Sequence, residues 1–229
     1  MSTITDFNNV SVFTPEGKII PLENIKKTVE LGNTTLGLTN DRIGVLVAYL
    51  GSSSDYSYPT KKLFKINKRS IFTYAGITND GLEIVDYLLE KGITEEVIKD
   101  RDIHFLRVFD DLCYEASFRT LVARDRLYGA GGLLLTDYNG AKLVEFQPAG
   151  CVKEARAMAI GNRAQSARTI LENEVENLDT MGVDEMCRVG IRALKNSHPE
   201  EGALTKDNVE IWCLEAGKEY YKIDVSIYL

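Results

Sequence analysis

The chain has 229 residues, with 27 Lys and Arg against 34 Asp and Glu and a formal net charge of −7. Hydrophobic residues make up 44% of it and charged residues 27%, which is the composition of a globular protein and not of a disordered chain. The acidic balance argues against a general binder of nucleic acid or anionic membranes, which needs clustered Lys and Arg, and no apolar run approaches the roughly 20 residues that span a bilayer.

The first predicted element is a short N-terminal helix over residues 21–31. Leu22, Ile25 and Val29 recur at helical spacing, so they share one apolar face while charged residues lie opposite. Gly32 follows at the position where a left-handed residue often ends a helix.

Paired strands and paired helices alternate along the rest of the chain. The strands predicted from apolar runs are 34–38, 44–50, 62–66, 70–77, 131–138, 142–146, 155–160, 209–214 and 220–225. Two helices are predicted after the fourth strand and two after the seventh, with apolar faces within 82–89, 105–116, 167–178 and 186–194.

This order predicts the fold class. Hairpins that alternate with helix pairs do not fit the one-strand, one-helix rhythm of a parallel doubly wound sheet. Asn139-Gly140 between two strands is a strong tight-hairpin dipeptide. We therefore expect an α+β fold, a four-layer αββα sandwich of two antiparallel sheets flanked by helices. No linker-like stretch divides the chain, so residues 1–229 are predicted to form a single domain.

The cysteines and histidines show no ligand spacing. The four cysteines are far apart, form no C-x-x-C pair and are expected to be reduced, buried thiols: Cys113, Cys151, Cys187 and Cys213. His104 and His198 lie near no plausible nucleophile or metal partner in the sequence, so both are interpreted as structural. We expect neither a metal site nor a cofactor.

Three stretches invite a catalytic interpretation, and each has a simpler structural one. Residues 128–132, Tyr-Gly-Ala-Gly-Gly, are followed by a strand and contain no Lys, so a tight turn is favoured over a phosphate loop. Thr34 could act as a nucleophile only as an N-terminal residue, after removal of the whole segment that precedes it. The polar cluster over 163–168 has a serine without a base, so a helix start is favoured.

A series of motifs nevertheless runs through nearly the whole chain in a fixed order. The stretches are 10–20 (Val-Ser-Val-Phe-Thr-Pro-Glu-Gly-Lys-Ile-Ile), 32–38 (Gly-Asn-Thr-Thr-Leu-Gly-Leu), 61–63, 75–77, 126–129 (Arg-Leu-Tyr-Gly), 146–150 (Phe-Gln-Pro-Ala-Gly), 156–169 and 190–194. This series resembles the proteasome alpha-type subunits, and its last two stretches are similar to the alpha-six type in particular.

The resemblance implies the N-terminal-nucleophile hydrolase sandwich and a place in the outer ring of the proteasome core. The implied partners are other alpha subunits in a seven-membered ring, beta-ring subunits, and an ATPase regulatory particle or other activators. The implied role is structural, in ubiquitin-dependent protein degradation in the cytoplasm and nucleus.

The resemblance also implies that this chain is not a peptidase. The threonine, aspartate and lysine of the family's catalytic beta-type members fall on Asn33, Tyr49 and Lys62. Asn33 carries no hydroxyl and is not N-terminal, and Tyr49 is not a carboxylate. Two of the three catalytic roles are therefore absent.

The resemblance implies two further sites, an activator pocket and a pore gate. Lys62, Gly32 and Ile77 match an alpha-ring pocket that receives the C-terminal tails of activators, with the lysine pairing with the tail carboxylate.

At the positions of the family's pore gate, this chain departs from the usual residues. Asp6 and Phe7 stand at its tyrosine and aspartate positions, Asn24 stands in place of the helix tyrosine, and only Pro15 remains. We expect residues 1–12 to lie near the pore and to contribute weakly to gating.

Two alternatives remain open at this point. One is an active threonine hydrolase, and the other is an isolated binding module that forms no ring.

Overall fold

The computed structural model describes residues 13–51, 56, 60–98, 105–121, 126–200 and 202–229. Within these ranges the chain forms five α-helices and ten β-strands. The helices are α1 (Ile20–Glu30), α2 (Thr78–Ile93), α3 (Phe105–Leu121), α4 (Ala164–Glu174) and α5 (Val183–Ser197). The strands are β1 (Thr35–Thr39), β2 (Ile43–Tyr49), β3 (Leu63–Asn67), β4 (Ser70–Gly76), β5 (Ala130–Asp137), β6 (Ala141–Gln147), β7 (Cys151–Ala155), β8 (Ala157–Ile160), β9 (Val209–Glu215) and β10 (Tyr221–Ile223).

The strands form two antiparallel sheets of five strands each. Sheet 1 has the order β10-β9-β2-β1-β8, and sheet 2 has the order β3-β4-β5-β6-β7. The strands of sheet 2 lie in chain order: short turns join β3 to β4, β5 to β6 and β6 to β7, whereas α2 and α3 lie between β4 and β5 along the chain. The hairpin predicted at Asn139-Gly140 joins β5 to β6, and both residues have positive φ, 54° and 112°.

Three apolar clusters separate four layers. Leucines such as Leu46 and Leu135 fill the space between the two sheets. Leu36 and Leu194 belong to the cluster between sheet 1 and the α4–α5 layer. Phe72 belongs to the cluster between sheet 2 and the α2–α3 layer. Each fully buried side chain of this size contributes about 1.5–3 kcal/mol to folding. The predicted four-layer αββα sandwich is confirmed.

Helix α1 lies at one end of the sandwich, against β4 and β5. It begins at Ile20 and ends at Glu30, one residue earlier at each end than the predicted 21–31. Ile25 is buried, and Val29 packs against the cluster between the sheets. The helix ends there because the backbone N–H of Gly32 donates to the carbonyl of Val29 and the chain turns into β1.

The segment that was predicted as one strand is divided between two strands, which belong to different sheets. The run predicted over 155–160 divides at Arg156: β7 is an edge strand of sheet 2, and β8 is an edge strand of sheet 1. The prediction of one strand was wrong because β8 alone carries the apolar signal. β7 is largely exposed, so it has no apolar run to reveal it.

Two other segments are shorter than predicted. The fourth helix ends at Glu174 and continues as a 3₁₀ turn over Val175–Thr180. The last strand covers only Tyr221–Ile223 and is followed by a 3₁₀ turn. Among the residues that the structure describes, no helix has both the length and the apolarity to cross a membrane.

Candidate functional site

Three backbone segments meet at the C-terminal end of β4 with no room for side chains between them. A Cβ atom at Gly32 would lie 2.1 Å from the backbone nitrogen of Gly76, and one at Gly76 would lie 2.1 Å from the carbonyl oxygen of Gly129. Gly76 also has a φ of 119°, which favours glycine. The end of α1 and the start of β5 therefore both lie directly against this strand end, and Gly129 allows this close packing.

Lys62 and Ile77 lie on either side of this junction. Lys62 precedes β3 and is opposite Tyr74 on β4, whereas Ile77 follows β4 directly. Ile77 is 41% exposed, and its backbone N–H donates to the carbonyl of Gly129 at 2.9 Å. The three residues that the sequence assigned to an activator pocket are thus grouped around residues 74–77.

The ammonium of Lys62 is buried without a carboxylate partner among the described residues. The residue is 4% exposed, and its Nζ lies 4.7 Å from the centre of the Tyr74 ring. Burial lowers the pKa of Lys62. An ammonium at this place has the chemistry to form a charge-assisted hydrogen bond with an incoming carboxylate.

A buried carboxylate fixes the other wall of the junction. Asp80, 2% exposed in the first turns of α2, accepts hydrogen bonds from Nη1 and Nη2 of Arg126 at 2.7 and 2.5 Å. It also accepts the backbone N–H of Gly129 at 2.6 Å. Burial alone would raise the pKa of Asp80, but these hydrogen bonds and the charge of Arg126 lower it below its usual value. Asp80 was not apparent as a site residue in the sequence because both of its partners lie in a distant part of the chain.

A groove of about 1120 Å³ lies between α1 and the start of α4. Leu22, Ile25 and Met158 give it an apolar lining, and basic side chains outnumber acidic ones along its walls. The polar cluster at 163–168 contributes to one end of it, and α4 does begin there, at Ala164. This mixed lining makes the groove a candidate surface for protein contacts.

Comparison with known proteins decides the family. Residues 29–214 match the model of the family described as proteasome subunit. The chain belongs to the proteasome subunit family. It is 27% identical to the probable proteasome subunit alpha type-6 of Schizosaccharomyces pombe, over 94% of this chain and 80% of that protein. It is 31% identical to proteasome subunit alpha type-6 of Saccharomyces cerevisiae, over 87% and 86%. It is 25% identical to proteasome subunit alpha type-1 of Dictyostelium discoideum, over 95% and 88%. The resemblance to the alpha-type subunits is confirmed.

In this proteasome subunit Asn33 and Tyr49, the two residues that the sequence analysis aligned with the catalytic threonine and aspartate, contact different neighbours. The side chain of Asn33 is half-buried and packs on Gly51, where a Cβ would lie 2.8 Å from its Nδ2. The ring of Tyr49 packs at 4.2 Å from that of His198, on the side of sheet 1 that faces α4 and α5. Asn33 carries no hydroxyl, and Tyr49 carries no carboxylate.

His198 contacts a hydroxyl that no sequence pattern connected with it. Its Nε2 lies 3.1 Å from Oγ1 of Thr34, far away in the chain. Thr34 donates its proton to the carbonyl of Asn162 at 2.5 Å, so it accepts from Nε2–H of His198. Thr34 is fully buried and its proton is already donated, so this pair is a structural contact and not a nucleophile with its base.

The residues that the sequence analysis assigned to a gate lie only partly within the described ranges. Asp6 and Phe7 lie outside the described residues. Pro15 is exposed in a turn closed by a hydrogen bond from Gly17 N–H to the Thr14 carbonyl at 2.8 Å. Asn24 is exposed on α1, and its backbone carbonyl accepts the Thr28 hydroxyl at 2.9 Å.

The prediction that all four thiols are buried was wrong. Cys187 on α5 and Cys213 on β9 are buried, but Cys113 is half-buried and Cys151 is exposed at the start of β7. Burial raises the pKa of the Cys113 thiol to about 11 and that of Cys213 to about 11. Cys151 is exposed because it lies at the start of β7, an edge strand that is exposed along most of its length.

Proposed function

We propose that this chain is a non-catalytic structural subunit of the outer alpha ring of the 20S proteasome core. In that role it contributes to ring assembly, to the substrate entry pore and to activator docking in ubiquitin-dependent protein degradation. The observation that supports this is the match of the chain to alpha-type relatives over most of its length. Alpha-type subunits are the structural components of the outer ring and are not catalytic.

The residues at the catalytic positions support the absence of peptidase activity in this chain. Peptide hydrolysis by this family's mechanism needs a nucleophilic hydroxyl at position 33 and a carboxylate at position 49. Asn33 and Tyr49 supply neither. Lys62, the third counterpart, is left with its ammonium buried beside Tyr74.

The proposed partners follow from this assignment. They are the other alpha subunits of a seven-membered ring, the beta-ring subunits, and the ATPase regulatory particle or other activators, in the cytoplasm and nucleus. Both the groove between α1 and α4 and the exposed aromatic residues Tyr114 and Phe118 on α3 offer surfaces for ring neighbours.

We propose that activator tails dock at the end of β4. Lys62 would pair with the terminal carboxylate, while Gly32 and Ile77 would form the pocket walls. The burial of Lys62 supports this, because an arriving carboxylate would give its ammonium an anion that none of the described residues supplies. Residues 1–12 are proposed to lie near the pore and to contribute weakly to gating, because three of the four gate positions are changed: Asp6, Phe7 and Asn24.

Imaging of the assembled particle tests the main proposal. Purification of the chain from its native source should yield particles with seven-fold rings. Intact-mass measurement of the subunit should show that the segment before Thr34 is retained. Loss of that whole segment would indicate an active threonine hydrolase, and the absence of rings would indicate an isolated binding module.

Replacement of Lys62 tests the docking site. Lys62→Ala in the assembled core should weaken the binding of an ATPase activator and reduce its stimulation of peptide hydrolysis. The matched control is Lys61→Ala, because Lys61 is exposed and its Nζ lies 4.9 Å from the Phe64 ring centre. Equal activator affinity in the Lys62→Ala and Lys61→Ala cores would contradict the proposed pocket.

A further inference from the structure

Tyr74 is the residue that the buried ammonium of Lys62 contacts. Its side chain is fully buried on the side of sheet 2 that faces α2, next to Phe64, whose ring centre lies 5.8 Å away. The Nζ atom of Lys62 lies over the ring at 4.7 Å, within the range of a cation–π interaction. This contact is the electrostatic compensation that the described residues give to Lys62.

The Tyr74 ring cannot move away from this position. A Cβ atom at Gly81 on α2 would lie 2.3 Å from Cδ2 and 2.5 Å from Cε2 of the ring, so the helix backbone packs directly on it. Phe64 is stacked on it with an interplanar angle of 24°. The ring is therefore a rigid surface that fixes where the flexible lysine side chain places its charge.

We propose that Tyr74 is a positioning residue for activator docking, which acts by keeping the Lys62 ammonium at a single place at the end of β4. The proposal rests on the proposed docking function of Lys62. A carboxylate that reaches a preorganised cation does not have to order it, so the tail pays a smaller entropic cost on binding. Without the ring, the Lys62 side chain loses this contact and can place its ammonium in other rotamers.

The experiment compares two synthetic peptides on assembled cores. Both carry the C-terminal sequence of an ATPase activator, one ending in a free carboxylate and the other in an amide. The ratio of their affinities isolates the contribution of the carboxylate–Lys62 contact. In the parent core we expect the carboxylate form to bind on the order of tenfold more tightly, as one charge-assisted hydrogen bond allows.

Four substitutions then separate the ring's effect on Lys62 from its packing role. Tyr74→Leu removes the aromatic ring and should lower the affinity ratio about threefold or more. Tyr74→Phe retains a ring and should keep the parent ratio. Tyr74→Met has a longer and more flexible side chain that can fill irregular space, so it replaces the leucine variant if that core does not assemble. Phe64→Leu is the matched control, because it removes a ring from the same layer while the backbone of Gly81 still packs on Tyr74, and the lysine that lies over the Phe64 ring is Lys61.

The outcomes are distinguishable from a failure of the docking site itself. A ratio that falls in Tyr74→Leu or Tyr74→Met but persists in Tyr74→Phe and Phe64→Leu supports the proposal. An unchanged ratio in the two Tyr74 variants that lack a ring, together with its loss in Lys62→Ala, overturns the role of Tyr74 and leaves the docking site standing. An equal fall in Phe64→Leu also overturns it, because general packing would then explain the effect. A parent ratio that survives in Lys62→Ala overturns the docking site and with it this inference.

Discussion

At the scale of single residues, Asp80 is a charge that the fold buries and fully satisfies. Two guanidinium hydrogen bonds from Arg126 and one backbone N–H from Gly129 compensate for its removal from water. Arg126 itself has a side chain that is 65% exposed, so water can hydrate it if its partner is lost. The stabilising effect of Asp80 therefore lies mainly in how it positions the start of β5.

Replacement of this carboxylate should destabilise the protein measurably. We expect Asp80→Asn to lower the free energy of unfolding by about 2 kcal/mol, because an amide replaces charge-assisted hydrogen bonds with neutral ones. Thermal or denaturant unfolding of the purified chain would measure the difference. Glu83→Gln is the matched control, since Glu83 lies on the same helix and its side chain is 57% exposed. An equal decrease in the free energy of unfolding of Glu83→Gln would contradict the claim that the burial of Asp80 causes the effect.

His198 should make stability depend on mildly acidic pH. Burial, with a further effect from the charge of Arg163, lowers the pKa of His198, although Glu200 acts in the opposite direction. The folded state thus binds a proton less readily than the unfolded state, whose histidine pKa is about 6.5. The stability that this residue gives is present in full above that value and decreases as the pH falls below it.

The substitution His198→Gln tests this effect, because glutamine does not titrate. The melting temperature of the parent should fall between pH 7.5 and 5.5 by more than that of the variant. Thr34 and Tyr49 also face the imidazole, through a hydrogen bond and a ring contact. Parallel pH profiles for the two proteins would show that the burial of His198 has no such consequence.

At the scale of elements, the position of α1 depends on the absence of a side chain at Gly32. The neighbouring atoms are backbone atoms of Gly76 and Ala75, which cannot rotate away as a side chain could. A methyl group at this position has to displace either the helix end or β4. The elements that form the proposed pocket are thus fixed by a close backbone contact.

We expect Gly32→Ala to destabilise the protein by about 1–3 kcal/mol, the usual cost of overpacking. It should also weaken activator binding, because α1 moves relative to Ile77. Unfolding experiments and activator titration would measure both effects. Gly182→Ala is the control, since a Cβ there meets nothing within 4 Å and its φ of −86° suits alanine. A Gly32→Ala protein as stable as this control would disprove the close contact.

The sequence predicted the elements that have a strong apolar signal and missed those that do not. Continuous apolar runs revealed β2 and β5, because both faces of these strands are buried. The edge strand β7 is exposed along most of its length, so neither β7 nor the change of sheet at Arg156 could be predicted. The pattern of apolar residues along a strand reflects which residues are buried, and an exposed edge strand has few buried residues.

The candidate site could be predicted only from the resemblance to a known family. Lys62, Gly32 and Ile77 came from the motifs of a known family and not from their spacing. The contacts of Tyr74 and Asp80 depend on how strands and helices pack, and Asp80 meets its partners only after the chain has passed through α2 and α3. Local sequence patterns carry no signal for such contacts.

At the scale of the whole molecule, the chain exposes apolar surface that a partner would cover. Tyr114 is 74% exposed and Phe118 48%, and their rings stack on the outer face of α3 with centres 6.4 Å apart. Paired exposed aromatic residues are typical of protein interfaces. The isolated chain is therefore expected to self-associate through α3.

A double substitution tests this expectation. Tyr114→Gln with Phe118→Gln should reduce the binding of a hydrophobic dye to the isolated chain and lower its incorporation into assembled cores. Ile227→Gln is the control, because Ile227 is 66% exposed in the last 3₁₀ turn, away from α3. Normal incorporation of the double variant would show that no ring neighbour needs this surface.

The passage of the chain through Arg156 constrains how the two sheets can move. With a single residue between β7 and β8, the edges of both sheets are tied together on one side of the sandwich. Thr39 N–H donates to the carbonyl of Arg156 at 2.8 Å and reinforces this connection. On the opposite side, where β3 faces β9 and β10, the two sheets are linked by Lys65, whose Nζ lies 5.0 Å from the Trp212 ring centre and 5.4 Å from that of Tyr220. We expect these two connections to restrict sliding of one sheet over the other, because each links the two sheets on a different side of the sandwich.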